Sequence, residues 1–284
     1  MRFAVLITSL LSLCVVVAQA GELSLAVNAP RGQEDIQKWN ALAAYLSAET
    51  GEKVTVSGTP PARIDKEVES GAIKLALMNP VSAADVIQQN IAKPLATLKA
   101  KGTAQFAGAI ITRADSPIKT VADLKGKNVM AFQTSSAGAY VFQMYYVQSN
   151  GLDPKKDFSL RQSNKQDDIV LAVQKGLVDV GFVRSGLLES MAKEGKIKLT
   201  EFALVDGKND ELKLLHSTPL YPEWFLVASN KLDPQVAAKI KAAVLKLKAD
   251  QPAARDAGID GFIEPLSLDS LKEALRALKV APFG

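Results

Sequence analysis

Short apolar runs alternate with stretches whose apolar residues recur every three to four positions through most of this chain of 284 residues. LSLAVN (23–28) reads as a strand, and Trp39, Leu42, Ala43 and Leu46 then fall at i, i+3, i+4 and i+7, one face of a helix. KVTVS (53–57), IKLALM (73–78) and AGAIIT (107–112) continue the strand series. Alternation of this kind predicts βα units and parallel sheets. Near residue 113 the texture changes to RADSPIKTVADLKGK, with Pro117, a Thr120 to Asp123 helix start and Gly126, which reads as a crossing into a second lobe. A second series follows: NVMAF (128–132), a helix after Ser136, FSLRQS (158–163), a helix from about Gln166 to Lys175, and VDVGFV (178–183). HSTPLYPEW (216–224) places two prolines in an extended run ahead of FLVAS (225–229), a second crossing. Val236, Ile240, Val244 and Leu247 then share a helix face, and 268–278 forms a last helix. The expected division is a leader at 1–20, one lobe from 21–113 and 218–284, and another from 114–217. Two α/β lobes joined in this way leave a cleft at the strand ends, where ligands collect.

MRFAVLITSLLSLCVVVAQA, with one Arg, a short apolar run and Ala18-Gln19-Ala20, has the form of a cleaved secretory signal, so the mature chain is expected to be exported. No later run approaches ~20 apolar residues. Leu13 before Cys14 is larger than a lipidation site wants, and cleavage removes Cys14, the only cysteine, leaving neither a disulfide nor a thiolate metal site. Removing Arg2 lowers the formal charge from +4 to +3. That balance fits a small anionic ligand at least as well as nucleic acid, and no Lys/Arg block forms a phosphate-backbone track, so nucleic acid is set aside.

FQTSSAGAY (132–140) carries the most chemistry. It reads as a turn entering a helix, whose first N–H groups lack intrahelical partners and whose dipole adds partial positive charge, so an oxyanion can be held without a catalytic group. Ser135 and Ser136 would add hydroxyl donors, while Ala137 and Gly138 would let a ligand approach the backbone. The bland alternative is that Thr134 or Ser135 only caps the helix. A nucleophile is disfavoured because Gly-x-Ser-x-Gly is missing. Arg184, ending VDVGFV, is either a bidentate anion donor facing the cleft or a solvated strand end. Arg31 in APRG, Ser82 in NPVSAAD (79–85), and Asn164 with Lys165 and Gln166 follow strands at comparable edges. His216, beside Ser217, Thr218 and Tyr221 on the second crossing, stands between a ligand donor or general base and a packed residue. One His and no mature Cys speak against zinc. Ser116-Pro-Ile-Lys119 matches Ser-x-x-Lys only as a short chance pattern. Asp167-Asp168 opens a helix, where carboxylates favour the dipole. No phosphate-loop or dinucleotide fingerprint is present. Neither metal nor cofactor is expected.

DLKGKNVMAFQTSSAGAY (123–140), GLDPKKDFSLRQSNKQDDIVLAVQKGLVDVGFV (151–183) and IKAAVLKLKAD (240–250) carry a resemblance to type II periplasmic solute-binding proteins of the phosphonate-binding kind, over essentially the whole mature chain. The resemblance implies a two-lobed α/β fold, a periplasmic location, no enzymatic activity, and capture of a phosphonate-, phosphite- or phosphate-like oxyanion for an ABC transporter permease. It places the cradle on Ser135, Ser136, Ala137 and Gly138. The family pattern usually has a further hydroxyl where this chain has Ala137, and an Asp-Pro pair that is missing at Phe132-Gln133, which draws the expectation away from phosphonate itself. VRSGLLESM (183–191) and HSTPLYPEW are similar to the periplasmic sensing modules of tetrathionate-type sensor kinases. That similarity implies a sulfur oxyanion and, as the alternative, a detached sensor subunit signalling to a membrane histidine kinase, because no kinase-like segment follows up to Gly284. The expected ligand-binding set is Ser135, Ser136, Gly138, Arg184, His216, Arg31, Ser82, Asn164 and Tyr221, in a monomer that closes by hinge rotation. A hydrolase using Ser135 or Ser136 with His216 is the reading from another class.

Overall fold

The computed structural model describes residues 22–27 and 33–284, so the leader and Arg31 lie outside the described residues. Two mixed sheets form. The first runs in the order Gly261–Ile263, Ala92–Lys99, Phe225–Ser229, Leu75–Met78, Glu22–Val27, Lys53–Gly58. The second runs Phe202–Leu204, Gly108–Arg113, Val180–Arg184, Asn128–Ala131, Ser159–Gln162. Between them Gln105–Phe106 and Tyr221–Pro222 pair as a short antiparallel ribbon, where the chain leaves the first lobe and where it returns.

All four residues of Leu75–Met78 are buried, as in a strand covered on both faces. One face is covered by Leu42, Ala43 and Leu46 of the helix Asn40–Thr50 and by Ile240 and Val244 of Pro234–Lys246. Burying each of these leucine, isoleucine and valine side chains stabilises the fold by about 1.5–3 kcal/mol. The opposite face joins Met78, Val81 and Phe225 of the first lobe to Ala137, Val141 and Phe142 of the second, with Leu271 and Leu275 of the C-terminal helix Asp269–Ala277. The lobes therefore share an apolar contact beside the ribbon, and Tyr145 Oη donates to Glu273 Oε1 at 3.0 Å over it.

Two expectations are corrected. The sheets are mixed rather than parallel: Phe225–Ser229 runs antiparallel to both Leu75–Met78 and Ala92–Lys99, and Gly108–Arg113 antiparallel to Val180–Arg184. In the first sheet the antiparallel strand is the one by which the chain returns, and in the second it is the one by which the chain enters. The first crossing also lies earlier than residue 113. AGAIIT belongs to the second sheet, so the change of lobe falls between Lys99 and Gly108. RADSPIKTVADLKGK is instead a surface connection ending in the short helical turn Val121–Leu124, whose start is fixed by Asp123 accepting from the Lys119 and Thr120 backbone N–H groups.

Candidate functional site

A cleft of about 140 Å³ opens where the two lobes face one another. From the first lobe it is lined by Thr59, Asn79 and Ser82. Leu75–Met78 ends at Asn79, and Pro80 pre-sets φ at the first position of the helix Pro80–Gln88. Asn79 Oδ1 accepts from the N–H groups of Val81 at 2.9 Å and Ser82 at 3.3 Å, capping that helix. Asn79 Nδ2 donates to Ser82 Oγ at 3.2 Å, which leaves the Ser82 hydroxyl proton free for an acceptor in the cleft.

The second lobe supplies Gln133, Ser135, Ser136, Ala137 and Gly138. The chain turns at 133–136, closed by Ser136 N–H donating to Gln133 O at 2.9 Å, and then enters a π-helical turn, Ala137–Val141, that runs into the helix Phe142–Ser149. Ser136 occupies the N-cap position in an extended conformation, and its side chain makes no capping hydrogen bond. Its hydroxyl is therefore not engaged with its own helix start, whose first N–H groups have no partner within the helix. Ser135 is exposed at the tip of the turn, while Gly138 is buried. The buried Gln143 holds this turn in place: its Nε2 lies 2.7 Å from Gly138 O, 2.9 Å from Val183 O and 3.3 Å from Ala109 O, tying the turn to two strands.

Arg184 closes the second-lobe side. Its backbone N–H donates to Gln166 Oε1 at 2.9 Å, and its guanidinium lies 4.4 Å over the Phe106 ring. Arg184 Nη2 is also ion-paired with Glu223 Oε1, and that carboxylate side chain is only 5% exposed. Glu223 comes straight after the ribbon strand Tyr221–Pro222, and its N–H donates to Ala104 O at 2.8 Å on the other crossing segment. The arginine on the second lobe is thus fastened to the segments that connect the lobes. Trp224, half-buried, completes the wall.

Ser82, Ser135, Ser136, Gly138 and Arg184 are brought together on this cleft. Asn164 lines a wider cavity of about 1130 Å³ that shares Phe106, Phe132, Gln166 and Arg184 with the cleft, so it stands at the mouth. His216 and Tyr221 are not brought there. His216 is fully buried, with Nδ1 2.7 Å from Leu214 O and Nε2 3.2 Å from Asp210 Oδ2. The Ser217 and Thr218 hydroxyl oxygens accept from the N–H groups of Ile110 and Gly108, at 3.0 and 2.9 Å, stitching this crossing onto a strand. Tyr221 is 3% exposed and stacks on Phe142 at 3.9 Å, and burial holds its phenol far above the ordinary range. Glu223, Phe106, Gln143 and Asn79 were not singled out by sequence reasoning; only Asn79, ahead of Pro80 after an apolar run, carries a readable cap signal.

A third cavity, of about 370 Å³, shares Ser82 and Ser135 with the cleft and is lined by Asp65, Asp85, Thr134 and Lys155. Asp65 Oδ1 is buried without a hydrogen-bond partner. Burial first, and the charge of Asp85 second, raise the Asp65 carboxyl from 3.8 to about 6. The folded protein thus holds this proton more tightly than the unfolded chain, and the stability it confers is full below pH 3.8 and lost as pH rises through about 6. Asp65→Asn should remove that loss, raising stability at neutral pH by about 1–2 kcal/mol once solvent screening is allowed for. Thermal melts across the window check this, and a wild-type slope in the variant would exclude Asp65 as its source.

Among the described residues no helix is long and apolar enough to cross a membrane, and no group of three or more His, Cys, Asp or Glu could hold a metal ion. Residues 26–269 match the family model for the phosphonate periplasmic substrate-binding protein of ABC transporters. Over 243 residues the chain is 30% identical to the tetrathionate sensor histidine kinase TtrS of Salmonella typhimurium, a match covering 82% of this chain and 40% of the kinase. The chain spans well under half of that protein. Among solved structures, XAC2383 from Xanthomonas citri bound to ATP superposes with a TM-score of 0.76 at 18% identity, covering 91% of this chain and 98% of that one. PhnD1 from Prochlorococcus marinus in complex with methylphosphonate gives 0.73 at 16%, with the same coverage of both chains. The fold is that of the type II periplasmic binding proteins, in which two α/β lobes flank a ligand cleft. By the extent of the family match, this chain belongs to the phosphonate-type periplasmic substrate-binding proteins of ABC transporters.

Proposed function

We propose that this protein captures a small oxyanion between its lobes and presents the closed form to an ABC transporter permease, without chemical conversion of the ligand. The observation that carries this reading is the convergence of two helix starts, at Pro80 and Ala137, with free hydroxyls at Ser82 and Ser136 and the guanidinium of Arg184 on a cleft of about 140 Å³. Such a site offers donors and partial positive charge, which suits a tetrahedral anion. Methylphosphonate in PhnD1 has the same chemical character. His216 is buried away from the serines, which leaves the hydrolase reading without a base. Calorimetric titration and thermal-shift measurements with phosphate, phosphite, methylphosphonate, sulfate, thiosulfate and tetrathionate test the proposal, because ligand that binds only the folded state raises its melting temperature. No shift with any of these anions would refute it.

A second reading is supported by the sensor-kinase likeness over 243 residues: the same receptor, exported on its signal peptide, reports a sulfur oxyanion to a membrane histidine kinase. Tetrathionate binding together with ligand-dependent capture of a kinase ectodomain would favour it over transport. In either role the mature protein acts as a monomer, with closure made by bending at the ribbon of Gln105–Phe106 and Tyr221–Pro222.

A further inference from the structure

Arg184 is the one charged side chain among the described residues that line the inner cleft. Its charge is not free. The Glu223 carboxylate, 5% exposed, holds Arg184 Nη2 from the hinge side, while Phe106 covers the guanidinium face at 4.4 Å. A ligand that pulled Arg184 away would leave a buried carboxylate unpaired, so an incoming anion meets the arginine with Glu223 still attached. The remaining donors are neutral hydroxyls, amides and two helix starts. The start of Pro80–Gln88 offers roughly half a positive charge, and the kinked turn Ala137–Val141, non-helical at Ala139, adds backbone N–H groups. The other charged groups near the pair, Lys101, Lys165, Lys196, Asp167 and Asp168, line the wider outer cavity, and Lys196 is already bound to Asp167 at 3.1 Å. They face the mouth, where charge steers arrival more than it sets the bound state.

We infer that Glu223 determines charge selectivity in the cleft: by neutralising Arg184 it leaves an anion subsite suited to one negative charge, so singly charged oxyanions, a sulfonate or a hydrogen-phosphonate, are taken in preference to dianions such as sulfate. This rests on the oxyanion reading above and specifies its ligand class. The second charge of a dianion lies close to the Glu223 carboxylate, which is only 5% exposed, so its repulsion is weakly screened.

Calorimetric titration with three probes tests it. Methanesulfonate carries one charge throughout, methylphosphonate gains a second as pH rises from about 6 to about 9, and sulfate carries two. In the wild type, sulfate should bind at least about ten-fold more weakly than methanesulfonate, and over that pH range methylphosphonate should weaken by a similar factor relative to methanesulfonate, whose own series reports titration of the protein, including Asp65 in the cavity that shares Ser82 and Ser135 with the cleft. Glu223→Gln keeps the side-chain size and removes its charge, and should raise the affinity for sulfate relative to methanesulfonate by about ten-fold or more. Equal binding of sulfate and methanesulfonate by the wild type, a methylphosphonate affinity that does not change with pH relative to methanesulfonate, or an unchanged sulfate-to-methanesulfonate ratio in Glu223→Gln would each overturn the inference. Should that variant not fold, the wild-type series decides alone. Failure of the wild type to bind any of the three would instead sink the oxyanion reading, and the inference with it.

Discussion

Gly138→Val should abolish anion binding. A Cβ at this position would lie 2.5 Å from Phe106 Cε2 and 3.2 Å from Phe106 Cδ2. Phe106 is 3% exposed and cannot swing aside, because its ring tilts against Phe142 at 5.1 Å, which in turn stacks on Tyr221. The strain reaches the ligand contacts by two routes: the turn is pushed outward, and the ring beneath the Arg184 guanidinium is displaced. Overpacking of this kind costs about 1–3 kcal/mol of stability, while a shift of the donors by ~1 Å should weaken binding at least a hundred-fold. Gly138→Ala is the sharper comparison. On helix propensity alone the change would stabilise the protein, whereas the Phe106 contact predicts a lower melting temperature and weaker binding. Melts and titration with methylphosphonate distinguish these, and wild-type affinity in Gly138→Val would end the argument.

Ser135→Ala/Ser136→Ala should weaken binding of the same probe by about a hundred-fold, from about 1–2 kcal/mol for each hydrogen bond to a charged ligand, if the two effects add. Capping makes the opposite forecast, a fall in melting temperature of the size that costs about 1 kcal/mol of stability with affinity untouched. The side chain of Ser136 makes no capping bond, so little stability should be lost on its account. A double variant that binds as the wild type does would remove the serines from the cradle.

Much of the architecture was legible because it is written in local patterns. The faces formed by Leu42, Ala43 and Leu46, and by Ile240 and Val244, are buried as their spacing requires. The lobe of AGAIIT was not legible. A strand buried on every residue from Gly108 to Thr112 carries no mark of which sheet it joins, and its partner, Val180–Arg184, is some seventy residues away. Glu223 illustrates the same limit at the site. In PLYPEW it reads as a surface charge between aromatic residues, and only its pairing with Arg184, 39 residues distant, accounts for its burial. His216 and Tyr221 fail in the reverse sense: their position on a crossing pointed to the cleft, but the second crossing packs its side chains inward, against Asp210 and Phe142. That Ser135, Ser136 and Gly138 would line a cleft was readable because a Ser-rich turn before a helix shows its free donors without any knowledge of the tertiary neighbours.

The placement of the two tryptophans gives this protein an optical signal of its own. Trp39 is 6% exposed in the core of the first lobe and does not line the cleft, so it should emit as a constant background. Trp224 is half-buried on the cleft wall, next in the chain to the carboxylate that holds Arg184. Occupation and closure should strip water from its indole and move the emission to shorter wavelength, so lobe movement can be followed in unlabelled protein at rates too fast for calorimetry. Trp224→Phe should silence that change and Trp39→Phe should leave it intact; a response that survived the first substitution would place its origin elsewhere.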